Sequence, residues 1–331
     1  MIDDVLVLWD IDGTLLNAGG VGRDLYDQVF TQLFGRSLAA WAPMAGRTDR
    51  AIILETLTLA GVDEPRRYVD SFIAGLGEHA PAARVAVAER GQPLPGAAAA
   101  LAALVAVSGA MVRVPVRAPV LKPAPTPTPV PVPTPVPVPA PALVPAPAPA
   151  ARVAVASGVA CAPAGGGGTA AGVGTGGGPA AGAGTAAGVA TAADVGTGNG
   201  ARPSRRVHQS VVTGNIRLLA EVKLAALGLR NGLDLCIGAY GDDHEDRTEL
   251  VQVARRRAAA VHGRTPAAFA GTSTVVIGDT PLDVTAALAA GARAVGVATG
   301  SHPAADLRAA GAHAVLPDLT DTDAVLKALL G

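Results

Sequence analysis

Asp10 and Asp12 close the run Val5-Leu6-Val7-Leu8-Trp9-Asp10-Ile11-Asp12-Gly13-Thr14. The apolar residues read as a buried strand. Side chains at i and i+2 of an extended segment share a face, so this spacing aims both carboxylates at one spot. Gly13 permits a turn and Thr14 adds a hydroxyl. Three later segments have a similar character. Ser210-Val211-Val212-Thr213-Gly214-Asn215 ends in a hydroxyl and a glycine that opens a helix. Gly241-Asp242-Asp243-His244-Glu245-Asp246-Arg247 is acidic with one arginine. Val275-Val276-Ile277-Gly278-Asp279-Thr280-Pro281-Leu282-Asp283 runs from a strand into Gly-Asp, with Pro281 suited to the first helical position and Asp283 one turn on. Carboxylates and hydroxyls at the carboxyl ends of parallel strands sit where open α/β sheets bind ligands.

The elements needed to bring these residues together follow from periodicity. Strands are predicted at 5–9, 207–213, 233–239, 274–278, 294–298 and 314–316. Helices are predicted at 23–34, 49–60, 66–75, 96–107, from 214 through 227, 247–262 and 281–290. Thr48 suits the cap of the second helix. Arg255, Arg256 and Arg257 read as an exposed helix face, and residues 242–246 as a solvated acidic turn. Strands alternating with helices imply an α/β fold, a Rossmann-like three-layer core around a mostly parallel sheet. Residues 18–95 interrupt that alternation and read as an inserted all-helical cap. The core is then expected from 1–17, 96–107 and 206–331.

The motif set, Asp-x-Asp-Gly-Thr, Val-Thr-Gly-Asn and Gly-Asp-x-x-x-Asp in this order, resembles the haloacid dehalogenase-like (HAD) hydrolase superfamily. Within it, the chain is similar to the phosphoglycolate phosphatase-like branch, over about 1–107 and 206–331. The resemblance implies a phosphatase with Asp10 as nucleophile and Asp12 as acid and base. It implies Mg²⁺ held by Asp10, Asp12 (through its main-chain carbonyl), Asp279 and Asp283. Thr213, Gly214 and Asn215 would hold phosphoryl oxygens, through the hydroxyl and the amides near Gly214 at a helix start. The family also places a lysine or arginine against the phosphate and the nucleophile. The usual Lys-Pro is missing here, which leaves two candidates, Arg247 and Lys223. Gly46-Arg47-Thr48-Asp49 looks like a cap turn of this branch, and Arg47 suits a substrate carboxylate.

Composition narrows the function. Net charge is −1, so no general attraction to nucleic acid or anionic membrane is implied. No apolar stretch free of Pro and Gly is long enough to span a bilayer. Two cysteines make no disulfide framework, and His208 and His244 lack ligand spacing for zinc. A cytoplasmic protein acting on a small phosphorylated metabolite is expected. Residues 108–205 are low in complexity. Pro115 to Pro149 holds 15 prolines and Gly165 to Gly200 holds 15 glycines, which predicts a disordered insertion open to weak partner binding. A dehalogenase would lack the second aspartate and the metal. A phosphonatase would carry a cap lysine, and 18–95 has none. A phosphosugar mutase of the same superfamily, or a non-catalytic scaffold recruiting partners through the proline-rich insertion, are the alternatives.

Overall fold

The computed structural model describes residues 4–108 and 206–331. The expected insertion lies outside the described residues apart from Ser108. Five strands form one parallel sheet in the order β4-β1-β5-β6-β7. They are β1 (Asp4–Trp9), β4 (Arg206–Val211), β5 (Thr274–Gly278), β6 (Arg293–Val297) and β7 (Ala314–Leu316). The apolar run of β1 makes it an inner strand, since both its faces must be covered. Val5, Val7 and Trp9 enter one core with Ile277 and Val295. Leu6 and Leu8 enter the other with Val276, Leu250 and Val284. Truncating a side chain as buried as Leu8 to alanine costs roughly 2–5 kcal/mol.

Helices cover both faces, as right-handed parallel connections require. They are α5 (Ala97–Ser108), α6 (Arg217–Ala226), α7 (Arg247–His262), α8 (Pro281–Ala289), α9 (Ala304–Ala309) and α10 (Thr322–Leu330). Between β1 and α5 lies a helical segment: α1 (Val21–Phe34), α2 (Asp49–Leu59), α3 (Val69–Glu78) and α4 (Ala80–Arg90). Its interior is aromatic, with the Tyr26 and Phe72 rings 5.3 Å apart. A two-stranded antiparallel ribbon, β2 (Leu16–Asn17) with β3 (Gln92–Pro93), ties the chain entering this segment to the chain leaving it. Thr48 caps α2 by accepting the Ala51 N–H.

Three expectations change. Residues 233–239 form turns rather than a strand. Asp234 accepts the Cys236 N–H through its side chain at 3.0 Å and the Ile237 N–H through its carbonyl at 3.2 Å, which folds the backbone back on itself. Only Ala239 keeps a bridge, to Val212. The basic run of α7 is a solvated face only in part: Arg256 is exposed, but its neighbour is not. Arg255 is buried and donates to the Ala290 carbonyl (2.6 Å), the Gly271 carbonyl (3.3 Å) and Thr274 Oγ1 (3.0 Å). Nor is the acidic turn merely solvated. Asp243 makes a two-pronged pair with Arg257 (2.6 and 2.7 Å), and Asp246 caps α7.

Candidate active site

The strand register places each acidic residue. Trp9 lies between Val211 and Ile277. One step further, Val212 N–H donates to the Trp9 carbonyl (2.9 Å) and Asp10 N–H to the Ile277 carbonyl (2.8 Å). Asp10 therefore stands at the carboxyl end of an inner strand, flanked by the segments that carry Thr213 and Asp279. It is 5% exposed.

Asp10, Asp279 and Asp283 each offer an oxygen within 4.8 Å of the other two. Asp283 is fixed in the first turn of α8 by a capping box: its Oδ2 accepts from Thr280 N–H (3.0 Å) and Oγ1 (2.7 Å). Its Oδ1 faces Arg247 in an ion pair and is buried without a well-formed hydrogen bond. Asp279 Oδ1 accepts from the Thr14 hydroxyl at 3.0 Å. Glycine is required beside it, because a Cβ on Gly13 (φ +83°) would fall 2.4 Å from Asp279 Oδ2.

The two candidate cations serve different acids. Arg247, the first residue of α7, is buried, and its Nη2 donates to Asp10 Oδ1 at 2.6 Å. Lys223 is also buried. Its Nζ donates to both Asp12 oxygens (2.9 and 2.7 Å) and to Asn215 Oδ1 (2.6 Å). Asn215 Nδ2 donates in turn to Asp12 Oδ2 (2.6 Å) and Thr213 Oγ1 (2.8 Å). The Asp12 carboxylate thus turns away from the three-acid cluster. The same-face expectation fails because β1 ends at Trp9 and the chain tightens at Ile11, whose carbonyl accepts from Leu15 N–H (2.9 Å) and Leu16 N–H (3.1 Å).

Three buried carboxylates face one guanidinium. Burial pushes the Asp10 carboxyl above its ordinary value. Arg247 pulls it back in part, and Asp283 and Asp12 push it further up. Burial and the charges of Asp10 and Asp283 likewise raise Asp279. Burial alone would lower Arg247, but Asp283 and Asp10 hold it well above its ordinary value. Surplus negative charge on an all-oxygen donor set suits a hard divalent cation.

Thr213 is buried, and its Oγ1 accepts from Asn215 N–H (3.2 Å) and Nδ2, leaving its own O–H to donate. The first amides of the helix that follows have protein partners. Ile216 N–H donates to Asp49 Oδ2 (2.7 Å) and Arg217 N–H to Asp242 Oδ1 (2.9 Å). Arg47 pairs with Glu55 at 2.5 Å and donates to the Pro43 carbonyl. Asp49, which the sequence places only within the cap turn, finds its partners 23 and 167 residues away, beyond the reach of any local pattern.

Residues 250–322 match the family model described as HAD-hydrolase-like. Over that stretch the chain is similar to HAD-like hydrolases. A predicted phosphatase from Clostridium acetobutylicum has a similar structure, with a TM-score of 0.51 at 12% identity over 99% of this chain and 100% of that one. A hydrolase from Pseudomonas syringae gives 0.48 at 15% identity over 99% and 100%. A haloacid dehalogenase-like family protein from Streptococcus pneumoniae gives 0.47 at 11% over 98% and 99%. At 12% identity the likeness to the Clostridium protein is one of fold. No curated protein matches this chain in sequence. No helix among the described residues is long and apolar enough to cross a membrane.

Proposed function

We propose that this chain is a HAD-type phosphatase that hydrolyses a small phosphorylated metabolite through an aspartyl-phosphate on Asp10. The observation that carries the reading is the convergence of Asp10, Asp279, Asp283 and Arg247 at one sheet edge, with Asp12 held beside it by Lys223. Asp10 attacks phosphorus and the bond to the leaving oxygen breaks, while Asp12 supplies the proton that oxygen needs. Water then attacks the aspartyl-phosphate, Asp12 takes its proton, and inorganic phosphate leaves with Asp10 restored. Arg247 orients Asp10 and offsets its charge as the phosphoryl group approaches. In this reading the Thr213 hydroxyl and the Gly214 amide hold phosphoryl oxygens. Asn215 is bound instead to Asp12, Thr213 and Lys223, and sets their positions.

Asp10, Asp279, Asp283 and the main-chain carbonyl of Asp12 would hold the metal, which we take to be Mg²⁺. When bound, such an ion offsets the repulsion between the carboxylates and an anionic phosphate. Residues 18–95 serve as a cap over the site, a reading supported by Thr48 Oγ1 donating to the Glu245 carbonyl (2.7 Å) and Asp49 N–H to the Gly214 carbonyl (2.7 Å). This arrangement, and the phosphoglycolate phosphatase-like order of motifs, favour that branch.

The test is phosphate release from p-nitrophenyl phosphate and from a panel of phosphorylated metabolites, in Mg²⁺ and after chelation. Turnover that needs Mg²⁺ and falls by about 10³-fold or more in Asp10→Asn is the expected result. Free phosphate without an isomerised sugar phosphate separates hydrolysis from mutase chemistry. Inertness toward every ester in Mg²⁺ would overturn the proposal.

A further inference from the structure

We propose that Asp49 is a positioning residue through which the helical segment sets the acid–base side chain Asp12, an inference that rests on the phosphatase reading. Asp49 is buried at the head of α2. The Tyr26 hydroxyl donates to its Oδ1 (2.7 Å), and Ile216 N–H donates to its Oδ2 (2.7 Å). Its own N–H donates to the Gly214 carbonyl (2.7 Å). Asp49 thus grips the residues on both sides of Asn215. Asn215 in turn is the side chain that donates to Asp12 and accepts from Lys223. A continuous chain of short polar contacts runs from Tyr26 in α1, through Asp49 and the 214–216 backbone, to Asp12.

Two glycines show how close this docking is. A Cβ on Gly214 would lie 1.9 Å from the Arg47 carbonyl oxygen, and one on Gly241 would lie 1.7 Å from the Gly214 carbonyl oxygen. The turn carrying Asp49 can therefore lie backbone against backbone on the loop after β4. An aspartate that merely capped α6 would need neither Tyr26 nor this contact on the far side of Asn215. Burial raises the Asp49 carboxyl, and the hydrogen bonds from Tyr26 and Ile216 oppose that rise, so its ionised form depends on the docked arrangement.

The experiment compares kcat/KM for two esters, because leaving groups differ in their need for a proton. p-Nitrophenolate departs with little help, whereas the alkoxide of glycerol 1-phosphate needs Asp12 to be well aimed. Asp49→Ala is expected to lower kcat/KM for glycerol 1-phosphate at least ~30-fold more than for p-nitrophenyl phosphate. Asp49→Asn keeps an acceptor for Ile216 N–H and a polar partner for Tyr26, and is expected to bring that ratio back to within about threefold of wild type. If Asp49→Ala does not fold, Tyr26→Phe removes one anchor and should show the same asymmetry at smaller size. Hydrogen exchange of the 212–218 segment supplies a readout free of activity, faster in Asp49→Ala by about 10²-fold if the latch is real. Equal losses for both esters, no loss, or unchanged exchange would overturn the proposal. Wild type inert toward both esters in Mg²⁺ would instead sink the phosphatase reading, and the latch would stand or fall on exchange alone.

Discussion

At the residue scale, the site pairs two cations with two aspartates, and their surroundings make the pairs unequal. Arg247 and Asp10 are both enclosed, with side chains 8% and 7% exposed, whereas the Asp12 side chain paired with Lys223 is 41% exposed. Removing the cation from an enclosed pair leaves an uncompensated buried charge, while an open carboxylate can turn to water. Arg247→Ala is therefore expected to cost roughly 3–5 kcal/mol in metal-free buffer, and Lys223→Met clearly less. Urea unfolding of the two variants checks the order, and equal losses would contradict it. Asp10, Asp279 and Asp283 were legible because each closes or follows a strand whose apolar run is visible in the chain. The assignment of Arg247 to Asp10 and Lys223 to Asp12 was not, since it depends on how α6 and α7 are rotated against the sheet. Periodicity gives a helix its face but not the partner that a long side chain reaches.

At the element scale, β5 and α7 coincide with their expected bounds, because an unbroken apolar run and a capped amphipathic helix carry their own signals. α4 was missed: five of its eleven residues are alanine, the rest include valine and arginine, and it lacks a strong apolar stripe. The end of α7 carries a prediction that no motif suggested. His262 stacks on His208 with ring centroids 3.9 Å apart, and its Nε2 is buried without a partner. Burial first, then the charge of His208, push the His262 imidazole below its ordinary value of 6.5. The unfolded chain therefore binds the His262 proton more readily than the folded one. Stability unaffected above about pH 6.5 must fall as the pH drops below it, levelling off only under the folded value. Tm measured from pH 8 to 5 should decline more steeply in wild type than in His262→Gln. Parallel curves would show that His262 binds its proton equally well in the folded and unfolded chain.

At the scale of the whole molecule, the question is whether residues 109–202 contribute to the enzyme. Their composition predicts a flexible coil, but only the neighbouring residues show how the ends meet. Ser108 closes α5, and its Oγ reaches both the Leu104 carbonyl (2.8 Å) and the Val207 carbonyl (3.1 Å). The chain therefore leaves α5 and enters β4 side by side, so a tight connection spans the gap. α5 is also held independently of the insertion, since Gln209 Nε2 donates to the Leu101 carbonyl (3.0 Å) while Gln209 Oε1 accepts from Trp9 Nε1 (3.2 Å). Closing a flexible loop costs about (3/2)RT ln n, so replacing nearly a hundred residues with a four-residue linker relieves the fold of roughly 3 kcal/mol. Deleting Gly109 to Arg202 with such a linker is expected to raise Tm by several degrees and to leave kcat/KM within about twofold. The proposed catalytic side chains lie at the carboxyl ends of the strands, whereas the insertion joins the amino end of β4, so the six residues of β4 separate the junction from Thr213. A deletion variant that fails to fold, or that folds and loses turnover, would show that these residues belong to the working enzyme.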